Sequence, residues 1–176
     1  HLVDSVLPYK NIRQWVLTFP MPIRLCFAVR PKLMQRALEI AVTTISSYYR
    51  KQAKLKKAHS KAGAVTLIQR FGGSLNVNIH FHILFLDGIY ELDQQQAPTD
   101  FWTADPPSVD DLTQVLGKII TRVTRYLERQ GVIAKEGEQR NFQIPISDED
   151  TFSRLLASSV TYKFTTGPRK GQKAIV

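Results

Sequence analysis

The stretch NVNIHFHILFLDG, Asn76 to Gly88, carries the reading of the whole chain. Val77, Ile79, Phe81, Ile83 and Phe85 alternate with Asn76, Asn78, His80 and His82. Successive side chains on a strand point to opposite faces, so the spacing predicts a strand with one apolar and one polar face. The apolar row must meet a core. Burying the polar row without partners would be costly, so it faces solvent, a cleft or a ligand.

Working outward, AVTLIQRF (Ala64–Phe71) followed by GGSL reads as the first arm of a hairpin whose second arm is the histidine strand. RQWVLTF (Arg13–Phe19) is aromatic and β-branched and stops at Pro20, which predicts another strand. Pro31 suits a helix start, and Met34, Ala37, Leu38, Ala41, Ile45, Tyr48 and Tyr49 then follow helical spacing into a lysine-rich run. Gln94–Pro107 has no usable period and reads as a loop. Ser108 with Asp111 predicts a capped helix over Leu112, Val115, Ile119, Val123 and Leu127, ended by Gly131. Lys118, Arg122, Arg125 and Arg129 lie on its other faces. Ser147 with Asp150 repeats the capping signal before a shorter helix, and the tail becomes strand-like and then a basic Gly/Pro loop. The order β-α-β-β-α-α-β predicts an α+β fold, an antiparallel sheet with helices packed on one face, as a single domain over residues 1–176.

Charge narrows the partners. The net charge is +9, and residues 1–70 hold thirteen Lys/Arg against Asp4 and Glu39. Residues 71–150 reverse the balance, and the last 26 residues are basic again. A concentrated basic surface attracts polyanions. Arg50, Lys51, Lys54, Lys56, Lys57 and Lys61 stand beside Tyr48 and Tyr49, a combination that suits single-stranded nucleic acid. With Arg70, Arg169 and Lys170 they are the candidate DNA contacts. His59 reads as part of that basic face. No apolar run is long enough for a bilayer, and the single cysteine, Cys26, fits a reducing cytoplasm as a small core residue. The first residue is not methionine, so a piece of a longer protein is expected.

His80 and His82, two apart on one face, can reach a common ion. Such pairs are often incidental on exposed strands, but here asparagines bracket them in a strand built for a core. Beside a polyanion, an imidazole pair points to a divalent ion polarising a phosphate. A third ligand is needed. Gln69 on the partner strand is the candidate, with Asn78 as a supporting group. An even-numbered turn sets Gln69 beside His80, whereas an odd one sets Thr66 and Arg70 there. The apolar Val65 and Leu67 favour the odd turn. Asp87 is a weaker candidate, since its parity is that of the core.

IRQWVLTFPMPIRLCFA, GAVTLIQRFGGSLNVNIHFHILFLDGIY and TGPRKGQK together resemble the HUH two-tyrosine transposases of rolling-circle bacterial insertion sequences. HFH matches their histidine–hydrophobe–histidine signature. The resemblance implies an HUH endonuclease fold, RRM-like in its sheet, with a divalent metal (Mg or Mn) held by His80 and His82. It implies single-stranded DNA at element ends as substrate, tyrosine attack on a phosphate, and a bacterial cytoplasmic setting. The family's tyrosines are expected beyond Val176 and its zinc-binding segment before His1, so no nucleophile is assigned and the chain alone is expected not to cleave. Tyr126 has the spacing of a core residue. The competing readings are a non-catalytic single-stranded nucleic-acid module, a rolling-circle replication initiator or relaxase, and an unrelated metal-dependent phosphoesterase.

Overall fold

The computed structural model of the chain describes residues 10–72, 77–136, 139–142, 162–163 and 173–174. β1 (Ile12–Thr18) leads through α1 (Met21–Val29) into α2 (Pro31–Gln52), then β2 (Ser60–Lys61), β3 (Ala64–Phe71) and β4 (Val77–Leu86). β5 (Gly88–Leu92), β6 (Pro98–Thr103) and α3 (Val109–Arg129) follow, and then the hairpin of β7 (Ile133–Glu136) and β8 (Gln139–Phe142). β9 (Tyr162–Lys163) pairs with β10 (Lys173–Ala174). The fold is α+β with antiparallel sheets, as the apolar patterning requires.

β4 is the middle strand of the sheet β1-β4-β3. Its odd row is the centre of the core: Ile79, Phe81, Ile83 and Phe85 are at most 2 % exposed. Phe19 and Tyr49 pack onto this row, with ring centroids 5.2 Å from Phe81 and 5.8 Å from Phe85. α2 supplies Leu33, Met34, Ala37, Ile40, Ala41 and Ile45 to the same core. Burial of several large side chains at roughly 2 kcal/mol each holds these layers together. Cys26 is buried in α1, where desolvation pushes its thiol up.

α3 starts as its sequence predicts. The Ser108 hydroxyl accepts from the Asp111 amide, and the Asp111 carboxylate accepts from the Ser108 amide. The Ser108 hydroxyl, which donates to the Asp111 carboxylate at 2.7 Å, and then the Ser108 amide hold the Asp111 carboxyl below its usual range. Its Val115, Ile119, Val123 and Leu127 are buried, and Gly131, at φ +66°, ends the turn after it.

One expectation is corrected, the loop over Gln94–Pro107, and two features are added. MPIRLCFAV is a helix, α1, because Pro22 sits in its first turn where a missing N–H is harmless, and Pro31 opens the next helix. Pro98–Thr103 is a strand and not loop: it is bonded to β5, and its register shift at Leu92 hides the period. α2 stops at Gln52, within the lysine-rich run as expected, and Lys54 (φ 56°) and the 3-10 turn Lys57–His59 present the rest of the run from a connection. The helix expected after Ser147 lies outside the described residues. Among the described residues no helix is long and apolar enough to cross a membrane.

Candidate metal centre on the histidine strand

β4 presents His80 and His82 from the middle of the sheet, both half-buried, with ring centroids 4.8 Å apart. Antiparallel register decides their neighbours. Thr18 of β1 and Gln69 of β3 lie opposite His80, and Val16 and Leu67 lie opposite His82. Gln14, Val16, Thr18, Leu67 and Gln69 are all exposed, so this face of the sheet is open.

Gln69 is therefore beside His80, against the parity that Val65 and Leu67 favour. The cause is a bulge. Five residues, 72–76, separate the pair Phe71–Val77, an odd count that alone would point Gln69 toward the core. Between that pair and Gln69–His80, three steps along β4 oppose two along β3. The extra residue restores Gln69 to the histidine face. Arg70, opposite the bulge, is exposed.

Hydrogen bonds set the rings. His80 Nδ1 lies 2.7 Å from the main-chain oxygen of Asn78, which can only accept, so Nδ1 carries the proton and Nε2 is left with its lone pair. Asn78, the expected supporting residue, meets the ring through its backbone oxygen. Gln14, which sequence reasoning missed, donates from Nε2 to His82 Nδ1 at 2.6 Å. That bond puts the His82 proton on Nε2. Turning the Gln14 amide over would present Oε1 to an Nδ1–H and free Nε2. The strand alternation of RQWVLTF sets Gln14 and Val16 on one face, but only the β1–β4 register brings Gln14 to His82.

Gln69 Nε2 donates to the Phe71 oxygen at 3.1 Å, so the atom it can offer a cation is Oε1. Among the described residues no third His, Cys, Asp or Glu completes a cluster. The donor set is thus His80 Nε2 and the Gln69 Oε1, joined by His82 Nε2 once the Gln14 amide is turned over. It fits a divalent ion whose remaining positions are filled by water or phosphate oxygen.

Asp87 does not join it. It is buried, and both of its carboxylate oxygens accept from Arg13, at 2.7 and 2.5 Å. Tyr49 donates to the same carboxylate at 3.3 Å and accepts from Trp15 Nε1. Burial pushes the Tyr49 phenol up to about 12, the opposite of what a nucleophile needs. Tyr126 packs against the core, as its spacing predicts.

Of the basic candidates, Lys51, Lys54, Lys56, Lys57, Lys61 and Arg70 are exposed, as is His59. Arg50 donates to Ser60 and Ser47, which ties it to the end of α2. Arg169 and Lys170 lie outside the described residues.

Residues 63–164, more than half of the chain, match a family model described as "putative transposase". No curated protein and no solved structure matches the chain.

Proposed function

The chain belongs to a transposase family, and from that premise we propose that it serves DNA transposition as an HUH-type enzyme that handles single-stranded DNA with a divalent cation at His80 and His82. One observation carries the reading: two imidazoles, 4.8 Å apart, stand on the central strand of an open sheet face, and a backbone acceptor fixes the tautomer of His80. A cation held there supplies Lewis-acid polarisation of a scissile phosphate and so aids attack by a hydroxyl nucleophile.

The chain's own residues do the rest. Asn78 O keeps His80 Nε2 free, and the Gln14 amide, turned so that its Oε1 accepts from His82 Nδ1, would free His82 Nε2 as the second nitrogen donor. Gln69 Oε1 is the added donor on the β3 side. The exposed lysines that follow α2 neutralise phosphates and hold the strand without reading its sequence. Tyr49 is excluded as nucleophile by its burial and its bond to Asp87.

The test is cation-dependent strand binding. A labelled single-stranded oligonucleotide is titrated with the chain at fixed ionic strength, with EDTA or with Mn²⁺. Mn²⁺ should tighten binding by wild type and leave the His80→Ala/His82→Ala double variant unchanged. An equal Mn²⁺ effect in both proteins would remove the histidines from the reading.

A further inference from the structure

A second basic surface lies between the two long helices and contains no residue of the histidine strand. Two adjoining cavities, about 450 and 650 Å³, run along the α2–α3 seam and share Arg122. Lys51, Lys118, Arg122, Arg125, Arg129 and Arg36 line them, against the acids Asp111 and Glu128. Arg36 is also bonded to Glu39. The bases of α3 fall at spacings of four, three and four, so they form one stripe on a helix. That stripe runs about 16 Å, the length of four or five nucleotides of a stacked strand at 3.4 Å each.

Two details separate this seam from an ordinary solvated helix face. Arg122 is positioned: its Nη1 donates to the buried Thr44 Oγ1 at 2.7 Å, and that hydroxyl donates onward to the Ile40 oxygen. The guanidinium that joins the two cavities is thus held in place. The other detail is Gly117, in the interior of α3 and on the cavity wall. A Cβ added there would meet nothing within 4 Å, so packing does not require a glycine. A glycine inside a helix weakens it relative to alanine. A bare stretch of helix that the fold does not need lets a ligand approach the backbone.

We infer that the α2–α3 seam binds the phosphodiester backbone of single-stranded DNA, as a contact separate from the histidine face. Arginine forks pair with phosphate oxygens. Tyr48, half-buried at the Lys51 end of the groove, is the aromatic side chain in its lining that a base could meet.

The experiment uses the full chain in EDTA, which removes any contribution of a cation at His80 and His82. Binding of a fluorescent oligo(dT) is measured across a salt series for wild type, Arg125→Gln/Arg129→Gln and Gly117→Leu, with thermal melts to confirm folding. The arginine variant should bind about tenfold more weakly, and its log K against log[salt] slope should fall by about 1.4 for two lost single-strand contacts. Gly117→Leu should keep or raise the melting temperature and weaken binding several-fold, because the side chain fills the groove. Unchanged affinity and slope in both variants, or no wild-type binding in EDTA, would overturn the inference. So would equal competition by poly-glutamate of matched charge, since the groove would then be selecting charge alone.

Discussion

On one face of β4, Ile79, Phe81, Ile83 and Phe85 are sealed under α1, α2 and Tyr49; on the other, His80 stands between Thr18 and Gln69, and His82 between Val16 and Leu67, which are more than half exposed. The same ten residues therefore serve two ends. The sealed row is held by apolar burial, and any side chain of similar shape and polarity would satisfy it. The open row gains little from the fold: its imidazoles neither fill a cavity nor join an ion pair. Their neighbours orient them instead, through Asn78 O and Gln14 Nε2. A polar pair that the fold does not need, held by two hydrogen bonds, is arranged for something other than stability.

Substitutions can break that contrast. The largest effect belongs to the sealed face. Phe81→Ala leaves a cavity at the middle of the core and should cost about 3–5 kcal/mol in a guanidinium titration. A loss below 1 kcal/mol would mean the core is not centred on β4.

The next effect is alkaline. Burial favours the neutral Tyr49 phenol, whose folded value is about 12 against an ordinary 10. The unfolded chain therefore ionises first. Stability is fully present below pH 10 and is lost as pH climbs toward 12, by about 2–3 kcal/mol at most. Tyr49→Phe should flatten this part of the profile, at a cost near 1 kcal/mol for the bond to Asp87. Denaturant midpoints between pH 8 and 11.5 read both effects.

The smallest effects belong to the open face. His80→Ala and His82→Ala should each shift stability by no more than about 0.5 kcal/mol. Asn78→Ala should be silent in cation binding, because the support it gives is main-chain. Gln14→Leu, which removes the partner of His82 Nδ1, should weaken cation binding about tenfold. A silent Gln14→Leu beside a damaging Asn78→Ala would invert the assignment.

Much of this was legible because alternation and capping are local. Five of the elements, β1, β3, β4, α2 and α3, follow from strand or helix period, and the Ser108–Asp111 box stands where its residues predict. α1 escaped because three prolines divide its sequence into a segment too short to show a period. β6 escaped because Pro98 and the register shift at Leu92 disguise a strand that depends on pairing with β5. The histidine pair could be read from one strand alone, but its surroundings could not. Gln14 reaches His82 through a partner 68 residues away in sequence, and Gln69 reaches its place through a bulge that no turn count reveals. Local order is written locally, whereas a site assembled across three strands depends on register.

The central claim is that His80 and His82 together hold a divalent cation, and its most direct test is a Mn²⁺ titration of the DNA-free chain followed by electron paramagnetic resonance. Wild type should bind one ion. Either single alanine variant should bind at least 10-fold more weakly while its thermal melt stays unchanged. Equal Mn²⁺ affinity in wild type and the double variant, with both proteins folded, would contradict the account.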